Sequence, residues 1–521
     1  MDTDLTPLIH TNDPPTEAQA HAVRRLLTVV GTQVSQIMSQ MSLAQASSPR
    51  QSELELRKNQ LHRAAVALRM MLSQVRLLPV EILANIFQFC CDSRGVGHFT
   101  TDVCEAPMLL CHICSRWRAV AHSTSSLWTV VNLHTKYGST QDIFQRSGNL
   151  PLSLSVITPH KPYVRPQPVT DTNQSCLDLL LNINHRLRQL KLYVSGPDAE
   201  PLRQNDTPLH LPVLCSVAIV AQRTPEVPLL VRILDLFEHA HAPHLRILKL
   251  KLHAAAGDLY ATRLPWAQLT SLHVDMPVLV HTAAYAILAH CTDLESCRWE
   301  RLINLNSAAP LPRLALRRLR VLALTGTHSE PLLALLSALD VPALRALSLT
   351  RRPPARYFDT AEPALPPVLA ALQRRSRCEL ERLSFTGLPL DPVALAAFLK
   401  PTPSLYALSL ECGADMPLSP ALCALFGPAG APLLTLPGLH TLILGGSTTG
   451  PFDHTLQLST ALVRMVETLA RGAANSESPF PAMRFLELRL RGQHFPADVE
   501  ARLRQVTPTG FFVMDGRGQQ E

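Results

Sequence analysis

Residues 111–114 read Cys-His-Ile-Cys, with Cys90, Cys91, His98 and Cys104 a short way upstream. Thiolates and imidazoles at short, fixed spacing could hold zinc, but a closed structural site needs two ligand pairs. One C-x-x-C occurs here, and Ile113 and Cys114 fall on the apolar side of a helical pattern, so buried thiols are expected instead. Gly445-Gly446-Ser447-Thr448-Thr449 opens like a nucleophile elbow and lacks the closing glycine. His239, His241 and His244 gather at the end of an apolar segment, where imidazoles can cap the last carbonyls. There is no phosphate loop, dinucleotide fingerprint or H-E-x-x-H, and no Cys has sequence neighbours that would activate it. The expectation is a chain that recognises rather than catalyses, with no metal and no cofactor.

Recognition residues are easier to find. The segment 77–89 reads LLPVEILANIFQF. Pro79 suits a first helical turn, where its missing donor costs nothing, and Glu81 lies near the positive end of the helix dipole. Ile82, Leu83, Ile86 and Phe87 recur as an apolar helical face. About 25 residues on, LLCHICSRWRAVAHSTSSLW (109–128) places Leu110, Ile113, Cys114, Trp117 and Val120 or Ala121 on one face of a second helix, closed by Trp128.

The phrase L-P-x-E-I-L-x-x-I-F at 78–87, then C-x-x-W-R-x-x-A at 114–121 and L-W at 127–128, resembles the F-box-like domain common in large fungal families. The match covers about 50 residues, or 75 with the heptad-bearing helix before it, which those proteins often share. The resemblance implies docking on a Skp-type adaptor and, through it, a cullin–RING ubiquitin ligase. Carried over by position, Leu78, Pro79, Glu81, Ile82 and Ile86 would lie at or near that interface. Cys114 and Trp117 would hold the helices together, with Trp117 also reaching the adaptor. The stretch 91–107 departs from compact members by its length.

Behind this module a six-residue phrase, L-x-x-L-x-L, returns from Leu187 onward. It runs through Leu187/Leu190/Leu192, Leu214/Val217/Ile219, Leu245/Leu248/Leu250, Leu269/Leu272/Val274 and Leu294/Cys297/Trp299. It continues at Leu319/Leu322/Leu324, Leu344/Leu347/Leu349, Leu380/Leu383/Phe385, Leu405/Leu408/Leu410, Leu439/Leu442/Leu444 and Met483/Leu486/Leu488. The 25-residue steps from Leu272 to Cys297, Leu322 and Leu347 lie within the range of leucine-rich repeats. Each phrase predicts a short strand whose last two apolar residues face inward. Apolar helical segments are expected between them at 229–240, 282–290, 331–339, 365–374, 391–399 and 458–471. Pro stands two positions before many phrases, ending the preceding helix outside the strand. The consensus Asn or Cys after the strand is missing. The outward strand positions form the expected target-binding face. They are basic early, at Lys191, Lys249, Lys251 and Arg298, and neutral later, at Ser348, Ser384 and Ser409; an acidic or phosphorylated target near the first repeats would fit.

The expected organisation is α/β. A flexible tail (1–16) leads to a helical hairpin or short coiled coil (17–75) and an F-box-like module (76–130). A connecting segment or repeat cap (131–185), an irregular solenoid with parallel strands on its concave and helices on its convex face (186–495), and a C-terminal cap and tail (496–521) follow. In the helical region Val23, Leu27, Val30, Val34, Ile37 and Met41 alternate by fours and threes, and Leu54, Leu61, Leu68 and Val75 fall seven apart.

Bulk composition agrees with this plan. Of 521 residues, 46% are hydrophobic and 17% charged, which suits a folded chain. A net charge of +7 spread along the chain argues against nucleic acid. No apolar run reaches the ~20 residues of a membrane helix, so no membrane partner is expected. Twelve irregularly spaced Cys suit reduced thiols in cytoplasm or nucleus. The expected function is a non-catalytic substrate-recognition subunit of a ubiquitin ligase; a leucine-rich-repeat scaffold uncoupled from ubiquitination is the alternative.

Overall fold

The computed structural model describes residues 4–6, 8, 11–43, 49–92, 104–134, 140–157, 182–194, 210–221, 233–252, 259, 262–303, 310–352, 365–388, 392–411, 436, 438–447, 485–491 and 511–515. The chain divides into two units, Met1–Pro159 and His160–Glu521.

The first unit opens with helices α1 (Glu17–Leu43) and α2 (Pro49–Met71), which pack on each other. The predicted stripe on α1 is its inward side: Val23 and Ile37 are buried, and Leu27, Val30, Val34 and Met41 are half-buried. The second heptad ends sooner than its spacing suggests. α2 stops at Met71, and Val75 stands exposed in a separate 3-10 turn, Gln74–Leu77. The segment expected as a flexible tail is pinned at Leu8, which packs with Val23 and Met71. Buried Arg76 donates through Nη1 to the Leu8 carbonyl (3.1 Å).

Helices α3 (Val80–Asp92), α4 (Met108–Ile113) and α5 (Ser115–Ser123) follow. A 3-10 turn (Ser125–Trp128), strand β1 (Val130–His134), helix α6 (Thr140–Arg146) and strand β2 (Leu152–Ile157) complete the unit. β1 and β2 are parallel, with Val131 opposite Leu154. The one helix expected over 109–121 is two: Cys114 is fully extended (φ −161°, ψ 169°) and separates α4 from α5.

In the second unit each phrase of the repeat, over its described residues, is a strand or leads into one. The strands are β3 (Leu187–Val194), β4 (Ser216–Ala221), β5 (Ile247–Lys251), β6 (Ser271–Val280) and β7 (Ser296–Ile303). Next come β8 (Leu314–Ala315), β9 (Val321–Gly326), β10 (Leu339–Asp340) and β11 (Ala346–Arg351). β12 (Arg382–Thr386), β13 (Ala407–Glu411), β14 (Thr441–Ser447), β15 (Phe485–Arg491) and β16 (Phe511–Asp515) close the series. Apart from β8 and β10, which pair with each other, these strands stand side by side in chain order. They form a large, open parallel sheet, not a closed barrel. The register aligns the phrases residue for residue: Leu248, Leu272, Cys297, Leu322, Leu347, Leu383, Leu408 and Leu442 form one continuous row.

Helices α7 (His281–His290), α8 (Ser329–Ala338), α9 (Leu365–Ser376) and α10 (Pro392–Leu399) lie where apolar segments were expected. The segment expected as a helix over 229–240 is, in its described part, helical only at 233–235 before the chain turns. The segment 458–471 lies outside the described residues. Inward positions such as Leu250, Val274, Trp299 and Leu349 are almost fully buried. A buried aliphatic side chain stabilises by roughly 1.5–3 kcal/mol, so the unit's stability resides in these rows.

The prolines acquire a geometric reason. Pro212, Pro243, Pro342 and Pro403 occupy the second position of hydrogen-bonded turns, in which Leu214, Leu245, Leu344 and Leu405 donate to the carbonyls three residues back. Proline's fixed φ favours that position and has no donor to lose there. The backbone also supplies a substitute for the missing side-chain ladder. The residue before each strand bonds its counterpart in the preceding repeat: Thr270 to Arg246, Glu295 to Thr270, Arg320 to Glu295, all at 2.8 Å, and so on to His440.

Candidate functional site

Helix α3 splits its apolar residues between two faces. Leu83 (1% exposed), Phe87 (0%) and Cys91 recur every four residues and enter a core with Leu110, Cys111, Val120, Ala121, Leu127 and Trp128. On the other side Ile82 (45% exposed), Ile86 (40%) and Phe89 (74%) recur at steps of four and three and stay open to solvent. Val80 adds to the exposed apolar surface at the start of α3, and Leu109 and Ile113 to that of α4. A helix with one face in a core normally turns polar residues outward; this one offers a second apolar stripe. The expected single apolar face is thus resolved into a buried half and an exposed half.

The other predicted docking residues frame that stripe. Pro79 and Glu81 are exposed, and the Pro79 carbonyl accepts the first α3 bond from Leu83 N (3.0 Å), so Pro79 sits at the cap rather than within the helix. Leu78 is half-buried against the core. Trp117 is also half-buried, its ring 4.9 Å from that of Phe87.

Why C-x-x-W-R holds together is visible in the backbone contacts. The Cys114 thiol sulfur accepts from Trp117 N (3.4 Å) and caps α5, while Arg118 Nε donates to the Cys111 carbonyl (2.8 Å) across the break. Arg116, which sequence reasoning passed over, reaches back to the segment before α3. Its Nη1 donates to the Arg76 carbonyl and its Nη2 to the Leu78 carbonyl, both at 2.6 Å. The forked guanidinium thereby clamps the turn that launches α3. The available signal was an arginine beside the tryptophan of the C-x-x-W-R phrase, but its carbonyl partners are 38 and 40 residues away. Trp128 Nε1 donates to the Ala121 carbonyl (2.8 Å), and Arg146 lies over its ring.

In the second unit the register brings together side chains that are far apart in sequence. Lys191, Ala218, Lys249, His273 and Arg298 form one row across β3 to β7. Lys251, Asp275 and Glu300 form the next. Arg298 Nε meets Glu300 (3.1 Å), His273 Nε2 lies 3.6 Å from the same carboxylate, and Arg301 pairs with Asp275. Among the described residues no carboxylate stands within ion-pair distance of Lys191, Lys249 or Lys251. The Lys191 ammonium rests 4.7 Å above the Tyr193 ring. Burial, then the Arg298 charge, pushes the His273 imidazole below its ordinary range, with Glu300 and Asp275 opposing. Further along, the rows turn neutral and small: Ala323, Ser348, Ser384 and Ser409 continue the first. There the open face holds a shallow groove of about 460 Å³ whose lining includes Ala346, Ser348, Ser384, Ala407 and Ser409.

The candidate chemical groups do not converge. Cys111 is buried, which raises its thiol, and it donates to the Pro107 carbonyl; Cys104 is exposed. His98 lies outside the described residues. Among the described residues no three His, Cys, Asp or Glu side chains are placed to share a metal ion. His239 Nδ1 meets Gln268 Oε1 (2.8 Å), a polar contact at the surface. Gly445, Gly446 and Ser447 belong to β14 itself, in extended backbone rather than a strand-to-helix elbow. No single described helix is long and apolar enough to cross a membrane.

No family model and no curated protein matches the chain. Solved structures that resemble it include a Bacteroides fragilis protein, 10% identical, with a TM-score of 0.32 over 67% of this chain and 84% of that one.

Proposed function

We propose that the chain is the non-catalytic substrate-recognition subunit of a Skp-adaptor/cullin–RING ubiquitin ligase. In this reading residues 76–130 form an F-box-like module that docks on the adaptor, and the parallel sheet is the strand face of a leucine-rich-repeat solenoid that binds the target. The observation that carries it is the exposed stripe Ile82, Ile86 and Phe89 on the LPxEI helix, opposite the buried Leu83 and Phe87. An apolar stripe on a helix already anchored by its other side supports a partner surface rather than a core.

Its worth follows from its exposure. Full burial of such a side chain contributes ~1.5–3 kcal/mol. Covering what these three leave exposed contributes roughly 3–4 kcal/mol, or two to three powers of ten in Kd. The Arg116 clamp supports the same reading, because it orients the start of this helix without belonging to the stripe.

The test is binding of the purified chain to a Skp-type adaptor by calorimetry. The pair Ile82→Asp with Ile86→Asp is expected to weaken binding at least ~100-fold, while Lys249→Glu leaves it unchanged. A wild-type chain that ignores the adaptor, or a double variant that binds normally, sinks the assignment. Target capture without adaptor binding would identify a repeat scaffold outside any ligase.

A further inference from the structure

The outward rows of the sheet carry two different surfaces side by side. At one end, Lys191 on β3 and Lys249 on β5 face each other in register across Ala218 on β4. Strands lie ~4.8 Å apart, so the two lysines flank a slot roughly 10 Å wide with only a methyl group between them. Lys251 stands in the next row of β5. The nearby acids are already paired, Asp275 with Arg301 and Glu300 with Arg298. Among the described residues these three lysines have no carboxylate within ion-pair distance. Further along, Ser348, Ser384 and Ser409 lie in register, with Ala346, Arg382 and Ala407 in the row beside them, and the groove of about 460 Å³ lies there. Short side chains form much of its lining, together with Leu347, Leu383 and Leu408, while Arg382 and Glu411 also border it.

We propose that this face binds an extended, two-part protein segment that crosses the strands, with an acidic cluster over Ala218 and an apolar side chain in the β11–β13 groove. The spacing of the two parts follows from the strand order. From β4 to β12 there are six strand-to-strand steps through β5, β6, β7, β9 and β11. At ~4.8 Å each they cover roughly 29 Å, which an extended chain spans with about nine residues. The acids of the segment meet Lys191, Lys249 and Lys251. Its small or aliphatic anchor lies over Ser384, between Ser348 and Ser409 and beside Arg382. Asp275 and Glu300, between the two parts, favour such a segment over a nucleic acid, whose evenly spaced phosphates would pass both carboxylates.

The inference rests on the target-recognition half of the function proposed above and is independent of adaptor docking. A displayed library of random peptides about 16 residues long, which exceeds the required span, is selected on the intact chain. Expected winners carry Asp or Glu clusters separated from Leu, Met, Val or Phe by about seven to ten residues. Selection on Lys191→Glu with Lys249→Glu loses the acidic preference and keeps the apolar one. Selection on Ser384→Trp does the reverse. A synthetic winner loses about 30-fold in affinity for each variant and weakens as ionic strength rises. The milder Lys191→Gln with Lys249→Gln pair, checked by its melting curve, gives the same direction without reversed charge.

Absence of any enrichment, winners without acids, or identical winners on all variants overturns the proposal. So does displacement of the winner by a single-stranded oligonucleotide at matched concentration. Adaptor binding is measured on the same preparations. Its failure with selection intact refutes ligase docking alone, and the converse refutes only this inference.

Discussion

Replacing Arg116 by Ala tests whether the guanidinium clamp holds the start of α3 in place. The side chain makes two charge-assisted bonds of 2.6 Å, to the carbonyls of Arg76 and Leu78. Bonds to charged groups contribute roughly 1.5–3 kcal/mol each. Arg116 is half-buried, so water recovers part of that sum after truncation. The expected loss is about 2–4 kcal/mol, confined to the segment that leads into α3. Hydrogen exchange followed by mass spectrometry on the intact chain reads this directly. Amides of the first turns of α3, including Leu83 N on the Pro79 carbonyl, should exchange about 30- to 700-fold faster. The β9–β13 amides should be unaffected. Arg116→Lys should recover only part of the protection, because an ammonium lacks the fork that reaches both carbonyls. Unchanged exchange in Arg116→Ala would refute the clamp.

Three other outcomes are expected. Phe87→Ala should cost ~3–5 kcal/mol in denaturant unfolding, while Ile86→Ala on the next residue stays under about 1 kcal/mol; similar losses would contradict the two-faced helix. Gly387 has φ +66°, and a β-carbon there would stand 2.5 Å from the Arg351 carbonyl oxygen, so Gly387→Ala should lower stability by about 2 kcal/mol or more. An unaltered urea midpoint would exclude that crowding. His273 is held below its ordinary value of 6.5, so the unfolded chain takes up this proton at a higher pH than the folded one. Its effect on stability is absent above about pH 6.5 and grows as pH falls from there toward the folded-state pKa. His273→Asn should flatten the acid limb of a melting-temperature profile, and an equally steep limb would assign the proton elsewhere.

The strands were legible because their signal is local. Leu at the first, fourth and sixth places of a phrase states which residues turn inward, and the register of β5 through β14 follows that pattern. The α1 stripe was readable for the same reason. Where the reading went astray, a distant contact or a single backbone angle intervened. The tail is tied at Leu8 by the buried Arg76. One helix became two at extended Cys114, whose sulfur then caps the second. β1, β2 and β16 carry no L-x-x-L-x-L phrase, so the repeat pattern did not announce them.

The sequence by itself determined which residues are apolar, at what period they recur, and where prolines end one element before the next. Tertiary structure decided which apolar face of α3 enters the core and which stays open, because Leu83 and Phe87 meet Leu110, Val120 and Trp128 while Ile82 and Ile86 meet solvent. It also decided that Lys191 and Lys249 flank one alanine, since parallel pairing sets side by side what the chain separates by a whole repeat. Periodicity describes a face; only long-range packing supplies what that face meets.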